Sequence, residues 1–354
     1  MVLCTRTLYR VDPRFRVANM NLDQTLFWLQ LGACMVFFMQ CGFALLEAGG
    51  VRSKNTKNIL LKNLLDACLG GLLWYLLGFP LAYGHGNAFV GGSWDAVSGC
   101  VDYGMWLFLW AFAVTAGTIV SGALAERCQF ITYLIYTLVL SAFIYPVVVH
   151  WVWSDQGWLK AAPDGMMPGN GFHDFAGSGV VHVTGGMAGL MGAIVIGPRV
   201  GRFRDDDGTP VNIPGHSTTL SCLGTFILWF GWYGFNAVST LAFSNMYLAS
   251  RICVNTTLAA ASGGLGTLLL HVVHGHRPDV TPALNGILGG LVAITAGCDA
   301  VEPYAAIAIG TLAAPCYYYS AAALLRLRID DPIGASPVHC FCGVWGVLSV
   351  GLFG

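Results

Sequence analysis

The chain has 354 residues, 56% of them hydrophobic and 10% charged, with a formal net charge of −1. So much apolar sequence exceeds what one soluble core can bury, which excludes an ordinary soluble globular protein, and no nucleic-acid partner is expected. Its 46 glycines suit close helix packing in lipid, and its 12 cysteines, with only Cys340 and Cys342 close together, suggest neither a disulfide framework nor a metal centre.

In chain order, residues 1–21 form a tail with Arg6, Arg10, Arg14 and Arg16, too poor in apolar residues for a signal-peptide core and expected to be disordered or processed. Apolar runs of spanning length then predict about ten transmembrane helices, at roughly 25–48, 63–83, 104–125, 131–153, 174–197, 217–241, 252–273, 282–297, 303–325 and 334–353. Loops after the odd-numbered spans hold eleven Lys and Arg residues, from Arg52 to Arg328, whereas the opposite loops hold only Lys160 and Arg251. The first set is therefore expected inside, with both termini outside. The Arg-rich tail argues the reverse and is outweighed by the loop count. The expected fold is an all-α polytopic membrane protein: a domain over residues 22–354, with halves of about 22–198 and 215–354 joined by the charged linker 199–214. Five spans per half place the second half upside down relative to the first, giving two inverted five-helix repeats around a central pore.

A motif recurs across the halves. Residues 174–189 and 331–346 both read D-x-x-G-x-x-x-V-H-x-x-x-G-x-x-G, matching at six positions, two of them ionisable. Intramembrane ionisable groups are costly and are usually retained for function. Asp331 followed by Pro332 suits a helix N-cap with Pro at the first helical position, and Asp174 holds the corresponding place. Each His lies eight residues beyond its Asp, about 12 Å along a helix. Starting from opposite faces of a hydrocarbon core about 30 Å thick, His182 and His339 should meet near the midplane. The competing reading of one such His is a packed polar residue satisfied by a carbonyl, and of each Asp a helix cap. His271, His274 and His276 end span 7 beside Arg277 without an acidic or Cys partner, and read as an interfacial cluster rather than a metal site.

The segments Gly231-Trp232-Tyr233-Gly234-Phe235-Asn236-Ala237-Val238-Ser239, Gly122-Ala123-Leu124-Ala125-Glu126-Arg127, Asp174 through His182, and Asp330-Asp331-Pro332 before Val338-His339 together resemble the ammonium transporter family (Amt/Mep/Rh), on its ammonium-transporter side. The resemblance runs from about residue 22 to the last. It implies a homotrimer in the lipid bilayer, with the plasma membrane as the expected location and one pore per subunit lined by paired histidines. It also implies eleven helices and a cytosolic tail, of which ten spans precede Gly354. Carried over by position, it implies an outer ammonium-recruitment site of Phe112, Trp153 and Ser239. Below this site Phe112 and Phe235 would form a stacked gate, His182 and His339 a pore lining and proton relay, and Asp174 a structural or recruitment role. Taken alone, each aromatic reads rather as bundle packing or an interfacial belt residue. Ser178 stands where the family commonly has Gly, and its hydroxyl is expected to add a local bond near Asp174.

The expected function is an ammonium transporter that recruits ammonium on aromatic faces, deprotonates it and conducts ammonia, with no cofactor and no enzymatic reaction. The alternatives are an ammonium sensor without substantial flux and an intramembrane hydrolase using Ser178 with His182, which lacks an evident third group or oxyanion donor.

Overall fold

The computed structural model describes residues 22–94, 103–160 and 171–354; the expected tail lies outside them. The described residues form an all-helical bundle in which the only β-type pairings are isolated bridges at Gly86–Gly91 and Phe203–Pro210. The helices are α1 Leu22–Gly50, α2 Ser53–Tyr83, α3 Tyr103–Ala123, α4 Phe130–Trp153, α5 Ser178–Ile196, α6 Thr218–Ala237, α7 Met246–Val273, α8 Val280–Ile294, α9 Pro303–Arg326 and α10 Pro337–Phe353. Seven of them, α1 to α5, α7 and α9, are both long and apolar enough to cross a membrane, while α8 and α10 are shorter apolar helices.

One boundary departs instructively from the sequence reading. The second helix starts at Ser53 rather than near residue 63, so Lys62 lies inside it, 1% exposed. Its ammonium sits 4.7 Å from the centroid of the Tyr133 ring on α4. One turn on, the Asp66 carboxylate accepts hydrogen bonds from the Tyr133 and Thr137 hydroxyls. A ring face thus meets the ammonium that hydropathy assigns to a loop, and two hydroxyls meet the carboxyl just inside the predicted span.

Four of the five loops predicted inside converge at one end of the bundle. Arg199, just beyond α5, donates Nε to Asp330 Oδ2 at 2.8 Å and Nη2 to Asp330 Oδ1 at 3.0 Å, and its Nη1 reaches Glu126 Oε2 at 2.7 Å. Glu126 Oε1 accepts from the Arg52 backbone and side chain and from Asn55, while Arg202 adds a bond to Asp330 and Arg127 one to its carbonyl. Segments after α1, α3, α5 and α9 are thus tied together in one ion-pair network, as the charge rule requires of loops on a common side. At the opposite end, loops after the even-numbered helices meet one another, with Gln156 bonded to His85 and His173 to Asp299.

The halves cross at α5 and α10. The first turn of each packs on the body of the other, the reciprocal contact a two-fold relation demands. Small residues permit it: a Cβ at Gly186 would fall 2.3 Å from the Cys340 backbone nitrogen, and one at Gly343 would fall 2.7 Å from the Ser178 carbonyl oxygen. These are one matched position of the sequence repeat, so that glycine of the motif is a crossing device.

Candidate functional site

Each repeat delivers its His through a short, irregular entry. Asp174 is 3% exposed, and its carboxylate accepts backbone N–H bonds from Gly177 at 3.1 Å, Gly179 at 2.9 Å and Val180 at 2.8 Å. Asp331 accepts from Ala335 at 3.1 Å and Ser336 at 2.6 Å. Both aspartates do cap, as expected, but the helices begin later than the Asp-Pro pattern suggests. Gly177 at φ 107° and Gly334 at φ 72° break the chain first, and Pro332 falls in the turn ahead of the helix. Beyond each glycine the first turn is π-helical, over Ser178–Val183 and Pro337–Phe341, and each contains its histidine. Such wide turns concentrate at functional sites because they rotate side chains out of the α register. The straight-helix estimate of the rise from Asp to His therefore does not apply, although the two imidazoles do meet.

His182 Nδ1 lies 3.2 Å from His339 Nδ1, with ring centroids 5.2 Å apart and planes 23° from parallel. They are 0% and 4% exposed respectively. Above them stands a column of rings. Phe235 lies 5.5 Å from His182, Phe112 stacks on Phe235 at 3.9 Å and 21°, and Trp153 meets Phe112 edge-on at 6.0 Å. Phe43 follows below His339 at 6.1 Å. The Trp153 indole N–H donates to the Asp174 carbonyl at 2.8 Å. A Cβ at Gly177 would come within 3.1 Å of the same indole, so cap, glycine and tryptophan are fitted to one another. Ser239 donates its hydroxyl to the Phe235 carbonyl at 2.8 Å, which commits its proton and leaves the oxygen as an acceptor.

The structure thus joins Phe112, Phe235, Trp153, His182 and His339 in one line, brings Ser239 against Phe235, and gives Asp174 a capping position beneath Trp153. Ser178 differs from expectation. Its hydroxyl does not bond Asp174 but crosses to the other half, donating to the Val292 carbonyl at 2.7 Å. That bond also separates it functionally from His182 and leaves the hydrolase reading without its nucleophile–base contact.

The profile of the Ammonium Transporter Family matches residues 27–354. The chain belongs to that family. It is 46% identical over 341 residues to Ammonium transporter 1 member 3 of Solanum lycopersicum, covering 92% of this chain and 74% of the relative. It is 42% identical over 331 residues to Ammonium transporter 3 of Dictyostelium discoideum, covering 92% and 75%. Among solved structures it resembles a sensor Amt protein with TM-score 0.86 and 36% identity, over 94% of this chain and 82% of that one. Ammonium transporter family members are membrane transporters rather than enzymes, and the helical bundle agrees.

Two residues of this ammonium transporter escaped the sequence reading. Trp232 stacks on His182 at 5.1 Å and 18° and donates its indole N–H to Thr295 Oγ1 at 2.9 Å. It lies one helical turn before Phe235 on the same face, a spacing that would have exposed it. Glu47, 2% exposed near the end of α1, was passed over although it is an ionisable residue inside a predicted span.

Proposed function

We propose that this ammonium transporter recruits ammonium at Phe112, Trp153 and Ser239, strips one proton from it near the Phe112–Phe235 pair, and passes ammonia between His182 and His339. The observation that carries the proposal is the 3.2 Å contact between the two Nδ1 atoms directly beneath the stacked phenyl rings. One Nδ1 must hold a proton for the other to accept. With both rings neutral, the first ring then presents a bare Nε2 and the second an Nε2–H, so the pair offers a travelling ammonia one acceptor and one donor. His182 Nε2 is buried without a hydrogen-bond partner among the described residues, as suits an atom that meets a transient guest.

Energetics favour deprotonation. An ion in this apolar passage would face a Born penalty on the order of tens of kcal/mol, whereas ammonia costs only what a small polar solute does. Potassium, similar in size and equally attracted by aromatic faces, has no proton to give, so selectivity is chemical. The aromatic faces contribute about 0.5–2 kcal/mol to capture and the Ser239 oxygen accepts one N–H. A homotrimer in the plasma membrane, with the domain spanning residues 22–354 in two halves, completes the proposal.

The histidines test it. If they act as one unit, His182→Ala and the double change His182→Ala, His339→Ala should be about equally damaging, because groups acting together are strongly non-additive. The measurement is ammonium-driven against potassium-driven current, with uptake of labelled methylammonium alongside. Wild-type selectivity and current in the double variant would refute the pore assignment. The outer site makes a milder prediction: Trp153→Leu should weaken selectivity or raise turnover while flux persists, since it removes only about 1 kcal/mol of capture. Loss of all uptake in a folded Trp153→Leu protein would show that the indole is needed for more than capture.

A second reading, sensing without substantial flux, draws on the likeness to the sensor Amt protein. Flux in proteoliposomes separates the two, because a sensor binds ammonium without conducting it.

A further inference from the structure

Below the histidines the lining changes character. A narrow cavity of about 20 Å³ opens beside His339, bounded by Phe43, Glu47, Gly122, Asn285 and Gly334 among others. That is room for about one water-sized molecule, and ammonia is of that size. Glu47 is the acidic side chain facing it. Oε2 of Glu47 accepts from Asn63 Nδ2 and from Ser121 Oγ, each at 2.9 Å, and both donors are uncharged. Behind them on α2, Asp66 lies one turn from Asn63 and is bonded to Tyr133 and Thr137 of α4, with the Lys62 ammonium over the Tyr133 ring. The carboxyl therefore stands between the imidazole of His339 on one side and a buried polar network on the other, without an ion-pair partner at hydrogen-bond distance among the described residues.

We infer that Glu47 is the inner proton station of the pore, whose carboxyl returns a proton to ammonia as it leaves the histidine pair. The inference rests on the reading that ammonia passes between His182 and His339. In the step, the O–H bond of the Glu47 carboxyl breaks and an N–H bond forms, leaving ammonium beside a carboxylate. The ion then escapes to the inner face, and the carboxylate is recharged by the proton that the next ammonium surrenders near the phenyl gate. One proton enters and one leaves per molecule, so each transport event carries one charge. The carboxylate also attracts the newly formed cation, which holds it at the cavity until water takes it over.

Two substitutions of the chain in proteoliposomes test this, each checked for folding by size-exclusion behaviour. Glu47→Gln keeps the shape and an oxygen for Asn63 and Ser121 but has no acid proton. Its ammonium-driven current should fall about 100-fold, the usual size of a lost general acid, while labelled methylammonium uptake falls much less. Glu47→Asp keeps the acid and should retain more current than Glu47→Gln despite its shorter reach. An unchanged ratio of current to uptake in Glu47→Gln overturns the inference, as does a Glu47→Asp protein no more active than Glu47→Gln, or a wild-type protein that carries no current. The double histidine-to-alanine variant separates the two levels. If it loses selectivity while the Glu47 variants behave like wild type, the pore runs between the histidines and the proton station lies elsewhere. If it keeps wild-type current, the pore reading itself fails.

Discussion

Replacing Gly186 with alanine should reduce methylammonium uptake about 100-fold per folded molecule, a loss comparable to misplacing reacting groups by about 1 Å. The added Cβ would lie 2.3 Å from the Cys340 nitrogen and 2.9 Å from the Cys340 Cα and His339 carbonyl carbon. All three are backbone atoms and cannot rotate aside, so α5 and α10 must part, at about 1–3 kcal/mol of overpacking. Parting them lengthens the 3.2 Å contact between imidazoles on those same helices. Gly351→Ala on α10, where a Cβ would meet nothing within 4 Å, is the control and should transport like wild type. Equal uptake in the two variants would mean that the crossing tolerates a methyl group and that the histidine spacing is set elsewhere.

Arg199→Ala should be the most destabilising single change at the charged end of the bundle. Its guanidinium, 4% exposed, neutralises Asp330 and Glu126 together, at side-chain exposures of 1% and 0%. Truncating one partner of a buried ion pair typically costs about 3–5 kcal/mol, offset here in part by the bonds that Arg52 and Asn55 keep to Glu126 and that Arg202 keeps to Asp330. The pH dependence follows. Burial alone would raise the Glu126 carboxyl, but hydrogen bonds from Arg52, Arg199 and Asn55 more than offset it and hold the group at about 2, against 4.5 for a free side chain. A depressed carboxyl contributes its stability above the unfolded value and loses it as pH falls through the folded one. Wild-type thermal stability should therefore decline between pH 4.5 and about 2, with Asp330, also held low against its burial by Arg199, adding to the loss. Arg199→Ala should melt lower at neutral pH and show a flatter decline. A melting temperature equal to wild type at pH 7 would mean the network is not what holds these loops. Because Asp331, which caps the His339 helix, follows Asp330 directly, the same variant should also lose transport.

Much of the centre was legible before any coordinates. The repeated Asp, Gly and His positions located the paired imidazoles, because two inverted halves bring matched residues to one place. The proposed gate and outer site rest on resemblance, since Phe112 and Trp153 look like any packed aromatic when taken singly. What stayed hidden had physical causes. Helix starts were set early because Asp331-Pro332 reads as a cap with Pro at the first helical position, while the glycine at positive φ that ends the turn carries no side-chain signal. Lys62 was left in a loop because hydropathy counts charge and not the ring face that meets it. Ser178 was tied to its neighbour Asp174 because sequence proximity cannot reveal that α8 passes within 2.7 Å.

The frame around the imidazoles is two-fold, yet its two halves are furnished differently. His182 rests against Trp232 and Phe235, whereas His339 faces Phe43 and the cavity that Glu47 closes. The duplication supplied matched backbones, and side-chain divergence turned a palindrome into a sentence with a beginning and an end. Such asymmetry cannot move the reversal potential, since the free energy gained crossing one way is returned on the other. It can only make half-saturating concentrations unequal on the two faces, so rectification measured from opposite sides of one bilayer reads how far the two halves have drifted apart.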